Sequence, residues 1–200
     1  GRHEDRENLD DVVLIRQQVE RCREILHGMA SDAGAGTGDG FFSTTVESLL
    51  AEAARETAPR PAVRIEIGAS TGPTTVPLGT LARAIRGLIR NAQEASPPEG
   101  EVVLRGSLAA GELLVEVEDR GAGMNAAVLG RAGEPFFTTK PPGRGMGLGL
   151  FLTRTMTERL GGKLELSSRP GAGTTVTIRL PADARTHLRL GDGVGLEVPA

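Results

Sequence analysis

The chain has 200 residues, of which 38% are apolar and 24% charged, with 23 Lys and Arg against 26 Asp and Glu for a net charge of −3 and a single Cys. One cysteine excludes an intramolecular disulfide framework. The near-balanced charge excludes a general electrostatic binder of nucleic acid or membrane surfaces, and with no Trp, no Tyr and five Phe the core must be aliphatic and no base-stacking platform is at hand. No apolar run approaches the ~20 residues of a membrane span, and the start, GRHEDRENLD, has neither Met nor a signal-peptide pattern. These features predict a cytoplasmic piece of a longer protein.

In chain order, Val12, Ile15, Val19, Cys22, Leu26 and Met29 recur at alternating spacings of three and four. This is a helix with an a/d seam, which must pair with another helix or another copy of the chain. The Gly-rich run Ser31 to Gly40 reads as a linker. Thr44 or Thr45, with Glu47 or Glu52 nearby, starts a helix through Leu49, Leu50 and Ala54, which Pro59 and Pro61 stop. Val63 to Ile67 alternates as a strand. A helix follows Pro77, from about Leu78 to Ala95, with Leu81, Ile85, Leu88 and Ile89 on a broad apolar face. EVVLRGSL and ELLVEVED read as antiparallel strands joined near Ala110 and Gly111. From Arg120 to Met146 the chain is dense in Gly and Pro, with at most one short helix after Met124. A firm helix from about Gly147 to Leu160 leads into the strands KLELSS and TTVTIRL, joined by the turn RPGAG. Helices and antiparallel strands in this order give an α+β fold with the helices on one sheet face.

Four segments carry candidate chemistry. LIRNAQEAS places Asn91 on the core side of a helix, and EDRGAGM ends a strand at Asp119 before Gly121 and Gly123. EPFFTTK spans Glu134 to Lys140, and GRGMGLGLF opens a helix with Gly143, Gly145, Gly147 and Gly149. A helix N-terminus with few side chains accepts phosphate oxygens. An aspartate leaving a buried strand accepts a hydrogen bond from an exocyclic amine. An Asn oxygen suits a hard cation that keeps its waters and its substrate phosphates, as Mg²⁺ does. Taken singly, each segment also reads structurally: the glycines as a turn, Asn91 as a core amide, Asp119 as a strand end, and Phe136 and Phe137 as lid packing. A Walker loop is excluded because no G-K-[ST] follows the glycines. A dinucleotide fingerprint is excluded because no parallel βαβ unit surrounds them.

In this order and spacing the four segments resemble the N, G1, F and G2 boxes of the ATP-binding domain of sensor histidine kinases. That domain shares its fold with type II topoisomerases, heat-shock chaperones and mismatch-repair ATPases. The resemblance implies the Bergerat ATP-binding fold, a two-layer α/β sandwich whose mixed sheet carries helices on one face, here preceded by one long helix. It implies ATP and Mg²⁺ as ligands, with Asn91 holding Mg²⁺ and Asp119 reading adenine beside Gly121 and Gly123. By the same resemblance, Thr174 would support the base through water, and Gly145, Gly147, Leu148 and Gly149 would contact phosphate. The resemblance also places Lys140 in a mobile lid, from which it could reach a phosphate. The hydrolytic relatives have a Glu four residues before the metal Asn, and Gly87 stands there instead. Glu94, one turn after Asn91, replaces a basic residue of some kinases and reads as an exposed helix carboxylate.

The N-terminal helix is similar to the second helix of the kinase dimerisation hairpin, most like the redox-responding RegB or PrrB type, which implies a redox role for Cys22. No H-E-x-x-x-P box surrounds His3, His27 or His187, so the phosphoacceptor histidine is expected outside this sequence. The implied organisation is a partial hairpin at 8–30, a linker at 31–43, the ATP-binding domain at 44–181 and a tail at 182–200. The implied partners are the dimerisation helices of a homodimer and a response regulator, with no nucleic acid. Membrane attachment would come only through a preceding segment, as in an inner-membrane sensor. A phosphate-splitting ATPase or chaperone of the same fold, and a nucleotide-binding switch without kinase activity, are the alternatives.

Overall fold

The computed structural model describes residues 40–141 and 145–187; the N-terminal helix with Cys22, and Gly143, lie outside the described residues. The largest element is a five-stranded sheet in the order β2-β4-β5-β7-β6. Its strands are β2 (Ala62–Ser70), β4 (Glu101–Ala109), β5 (Glu112–Asp119), β6 (Lys163–Arg169) and β7 (Gly173–Pro181). The pair β2–β4 is parallel and the other three pairs are antiparallel, so the sheet is mixed. A separate two-stranded ribbon pairs β1 (Phe42–Thr44) with β3 (Thr74–Val76).

Three helices cover one face: α1 (Val46–Ala54), α2 (Leu78–Ala95) and α4 (Gly149–Arg159). The short α3 (Ala126–Arg131) lies in the Gly- and Pro-rich region. Helix α1 begins where Thr45 Oγ1 accepts from the Ser48 N–H at 3.2 Å, which satisfies one of the orphan donors of its first turn. Helix α2 follows Pro77, whose missing N–H costs nothing at a helix start. Its stripe of Leu81, Ile85, Leu88 and Ile89 packs against Val102, Leu104, Leu113, Val115 and Val117 of the central strands. Met156 and Leu160 of the α4 end complete the core with Leu164, Ile178 and Leu180. The core is aliphatic throughout, as the composition requires.

The other sheet face is a lattice of opposite charges. Arg105 bridges Glu66 and Glu118 across three strands, and Arg179 bridges Glu112 and Glu165. Solvent screening leaves such surface pairs little weight in stability. Their alternation with core residues along each strand is what fixes which face is buried.

Two further features close the edges of the core. Gln93, on α2, is 7% exposed; its Nε2 donates to the Ala58 carbonyl at 2.8 Å and to the Pro61 carbonyl at 2.7 Å, tying the end of α2 to the approach to β2. Residues just past Pro181 also pack against the domain. Ala184, in the 3₁₀ turn Ala184–His187, is fully buried, and Thr75 bridges Asp183.

Candidate functional site

A cleft of about 460 Å³ opens between α2, the segment 137–140 and the start of α4. On α2 its wall is Gly87, Arg90, Asn91 and Glu94, spaced so that they share one face of the helix. Asn91 is therefore not on the core side, as the sequence suggested. It is half-buried at the edge of the apolar stripe and faces the cleft, because the neighbouring Ala92 and Gln93 take the buried positions.

Opposite stands the N-terminus of α4. Its N-cap, Leu148, supplies no capping side chain, whereas α1 and α3 are capped by Thr45 and Asn125. The first N–H groups of α4 therefore meet the cleft with the helix dipole behind them, a ready anion site. Gly145, Gly147, Leu148 and Gly149 line this wall. Gly147 has φ +69°, and a Cβ there would sit 2.4 Å from the Phe137 carbonyl oxygen. Glycine is thus the residue that lets 136–137 close onto the α4 start.

Lys140 crosses the cleft. Its Nζ donates to Asn91 Oδ1 at 2.9 Å and also to the Glu94 carboxylate. Of the two lid phenylalanines, Phe137 packs under the Arg131 guanidinium, 4.1 Å from the ring centroid, and lines the cleft. Phe136 is 47% exposed with φ +66°.

Asp119, Gly121, Gly123 and Thr174 do not line this cleft but form a second cluster beside it. Asp119 ends β5 directly opposite Thr174 of β7 and is 6% exposed. Its Oδ1 accepts from the Gly121 N–H at 2.8 Å. Burial pushes its carboxyl above the usual carboxylate range, with Glu118 adding to the rise; the backbone N–H groups of Gly121 and Thr174 oppose it. Gly121 lies against the end of α2, where a Cβ would be 2.1 Å from the Ala95 carbonyl oxygen. Gly123, at φ +63°, lies equally close to the Arg169 carbonyl. Met124 joins the two clusters. It lines the cleft, and its N–H donates to Ser168 Oγ at 2.8 Å, which in turn pairs with Thr174 Oγ1 at 2.9 Å.

The structure thus brings Asn91, Lys140, Gly145, Gly147, Leu148 and Gly149 to one cleft, with Asp119, Gly121, Gly123 and Thr174 behind Met124. Sequence reasoning missed Arg90, the place of Glu94 on the cleft wall, and Ser168. For Arg90 and Glu94 the signal was present: positions 87, 91 and 94 repeat at helical spacing around the named Asn. Ser168 carried none, because its role depends on the β6–β7 pairing. Chemically, the arrangement offers an anion site, a pair of oxygens facing a cation, and a buried carboxylate. That set suits a phosphorylated ligand carrying a divalent metal and a polar base.

The profile of the family described as "Histidine kinase-, DNA gyrase B-, and HSP90-like ATPase" matches residues 78–184. Sensor kinase CckA of Brucella abortus is 34% identical over 134 residues, 60% of this chain and 14% of that protein. Sensor histidine kinase RegB of Cereibacter sphaeroides is 30% identical over 175 residues, 80% of this chain and 37% of that protein. The chain therefore spans well under half the length of these relatives. Full-length ShkA, solved in complex with AMPPNP, shares the fold with a TM-score of 0.67 at 21% identity, over 85% of this chain and 38% of that one. With the mixed sheet, the uncapped α4 and the matched region coinciding, the chain belongs to the histidine kinase-, DNA gyrase B- and HSP90-like ATPase family.

Proposed function

We propose that this chain is the ATP-binding catalytic part of a two-component sensor histidine kinase. It would hold ATP with Mg²⁺ so that the γ-phosphoryl group passes to a histidine on a dimerisation hairpin and then to a response regulator. The observation that carries the reading is the cleft. It opposes an Asn-bearing helix face to an uncapped, glycine-lined helix start, with a buried aspartate one residue cluster away. The names of the relatives, sensor kinases in both cases, support it.

The residues have distinct tasks in this reading. The α4 N–H groups and Gly145, Gly147, Leu148 and Gly149 receive the phosphates, and Lys140 adds a positive charge. Asp119 accepts a hydrogen bond from the adenine amine, with Gly121 and Gly123 beside it and Thr174 supporting the base through water. The residues at the cleft wall fit a divalent metal, since Asn91 Oδ1 and the Glu94 carboxylate already converge on one cationic group; Asn91 would hold it. Bound Mg²⁺ would neutralise charge developing on the transferred group, while the chain itself contributes positioning. Gly87 lines the cleft where the hydrolytic relatives carry a Glu, so no side chain there activates water. This favours transfer to a histidine over hydrolysis.

The finer reading is a redox-responding kinase of the RegB type, supported by the 30% identity. Cys22 would be its redox residue on a dimerisation helix at 8–30. The linker at 31–43, the domain at 44–181, the tail at 182–200, the homodimer and the regulator partner belong to the same proposal. So does a cytoplasmic position, with membrane attachment only through a preceding segment. Among the described residues no helix is long and apolar enough to cross a membrane.

The deciding experiment is calorimetric titration of the chain with ATP and Mg²⁺, followed by incubation with a separately supplied hairpin that carries a phosphoacceptor histidine. Phosphorylated hairpin with slow turnover by the chain alone is the expected result. Rapid phosphate release without transfer would instead make it an ATPase, and binding with neither reaction a nucleotide switch.

A further inference from the structure

We propose that Glu94 is a second protein ligand of the divalent cation, beside Asn91, and that the Lys140 ammonium occupies this cation position when the metal is absent. The inference rests on the nucleotide and metal reading of the cleft given above and adds a residue and a coupling to it.

Asn91 and Glu94 are three residues apart on α2, so they project from one face one turn apart. Lys140 is 49 and 46 residues away from them in sequence. Yet its single Nζ meets both the Asn91 amide oxygen, at 2.9 Å, and the Glu94 carboxylate. An ordinary surface ion pair needs only two groups. Here a neutral oxygen and a charged one converge on the same cation, from the wall of the cleft. Two hard oxygens, one of them a carboxylate, are the donors Mg²⁺ takes when waters and substrate phosphates complete its shell.

An ammonium and a divalent cation repel and cannot share that position, so the two must exchange. The way out for Lys140 is short. Its Cδ is 3.0 Å from where a Cβ on Gly145 would stand, so the stem already runs along the glycine wall of the anion site. Side-chain rotation alone then moves the ammonium from the Asn91–Glu94 oxygens towards bound phosphate. Metal entry frees a cation for the phosphates, and metal loss returns the ammonium to the Asn91 and Glu94 oxygens. The metal would thereby report to the segment that closes the cleft.

The test uses the full chain at saturating ADP, with Mn²⁺ replacing Mg²⁺ and free Mn²⁺ read by electron paramagnetic resonance. Melting curves check that each variant folds, and ADP titrations in EDTA give the metal-free affinity. Glu94→Gln is expected to raise the Mn²⁺ midpoint about 10-fold or more, since even outer-shell partners of metals cost about 10- to 100-fold, without weakening ADP binding in EDTA. Lys140→Met is expected to lower the Mn²⁺ midpoint, because the competing ammonium is gone. Asn91→Ala separates the two readings. If it raises the midpoint while Glu94→Gln does not, the role of Glu94 is overturned and the metal reading of the cleft stands. If neither variant moves it, that metal reading fails too. A Lys140→Met midpoint equal to or above that of the unaltered chain overturns the exchange.

Discussion

Asp119 is the one charged side chain among the described residues that is buried, and two consequences follow from its surroundings. Burial raises its pKa above the 3.8 of an unperturbed Asp, so the folded chain binds its proton more tightly than the unfolded chain does. The sign of the linkage is then fixed. This group's stabilising contribution is full below pH 3.8 and is lost as pH rises through its folded-state value. Asp119→Asn should therefore flatten the pH dependence of stability above pH 3.8, since Asn keeps an oxygen for the Gly121 N–H. The same change should weaken adenine-nucleotide binding by ~1.5–3 kcal/mol, the worth of a hydrogen bond to a charged group. Urea melts across pH, paired with calorimetry, measure both; unchanged nucleotide affinity would remove Asp119 from the adenine site. Asn91 makes the opposite case. It stands half-exposed at the cleft, so Asn91→Ala should change stability by less than about 0.5 kcal/mol while abolishing the metal dependence of nucleotide binding. A large fall in melting temperature would mark it as a structural amide.

At the scale of the element, the start of α4 holds two glycines that answer to different constraints. Gly147 is held at φ +69° against the 136–137 backbone. Alanine there pays ~1–2 kcal/mol for the left-handed conformation alone and must also push that backbone away. Gly149 begins the helix proper, and a Cβ on it would meet nothing within 4 Å. Alanine in a helix is favoured over glycine by roughly 0.5–1 kcal/mol. Gly147→Ala should thus lower both stability and nucleotide affinity. Gly149→Ala should leave stability equal or raised and still lower affinity, because its Cβ would intrude where phosphate approaches. Thermal melts of both variants beside ADP titrations separate the two roles. A Gly149→Ala chain that binds ADP normally would show that this position does not contact the ligand.

For the whole molecule, the sheet and its three covering helices form a continuous aliphatic core, whereas α3 contributes no buried residue. Few apolar anchors mean a low local cost of opening. Residues 120–141 should therefore exchange their amide hydrogens faster than α2 or β5, and slow when ADP and metal bind across the cleft. Equal protection with and without ligand would contradict a closing lid. The outer sheet face, covered by the Arg105 and Arg179 ion-pair lattice, should show no such change, since it lies on the far side of the core.

The boundaries of α2 were legible because an apolar stripe at helical spacing runs uninterrupted between Pro77 and Pro97, and both prolines act locally. The strands β4 and β5 were legible because alternation and the Ala110–Gly111 turn are also local. The ribbon β1–β3 was not: two three-residue strands carry too little pattern, and the pairing of Phe42 with Val76 joins segments some thirty residues apart. Nor could sequence periodicity show the parallel pairing of β2 with β4; the family resemblance implied only that the sheet is mixed. At the site, the glycines, Asn91 and Asp119 stood out by type and order, since backbone clearance and charge belong to each residue. Which way Asn91 faces, the burial of Gln93 and the meeting of Lys140 with Glu94 were decided by tertiary packing. Each depends on where a distant carbonyl or carboxylate comes to rest, and that position exists only once the helices have docked on the sheet.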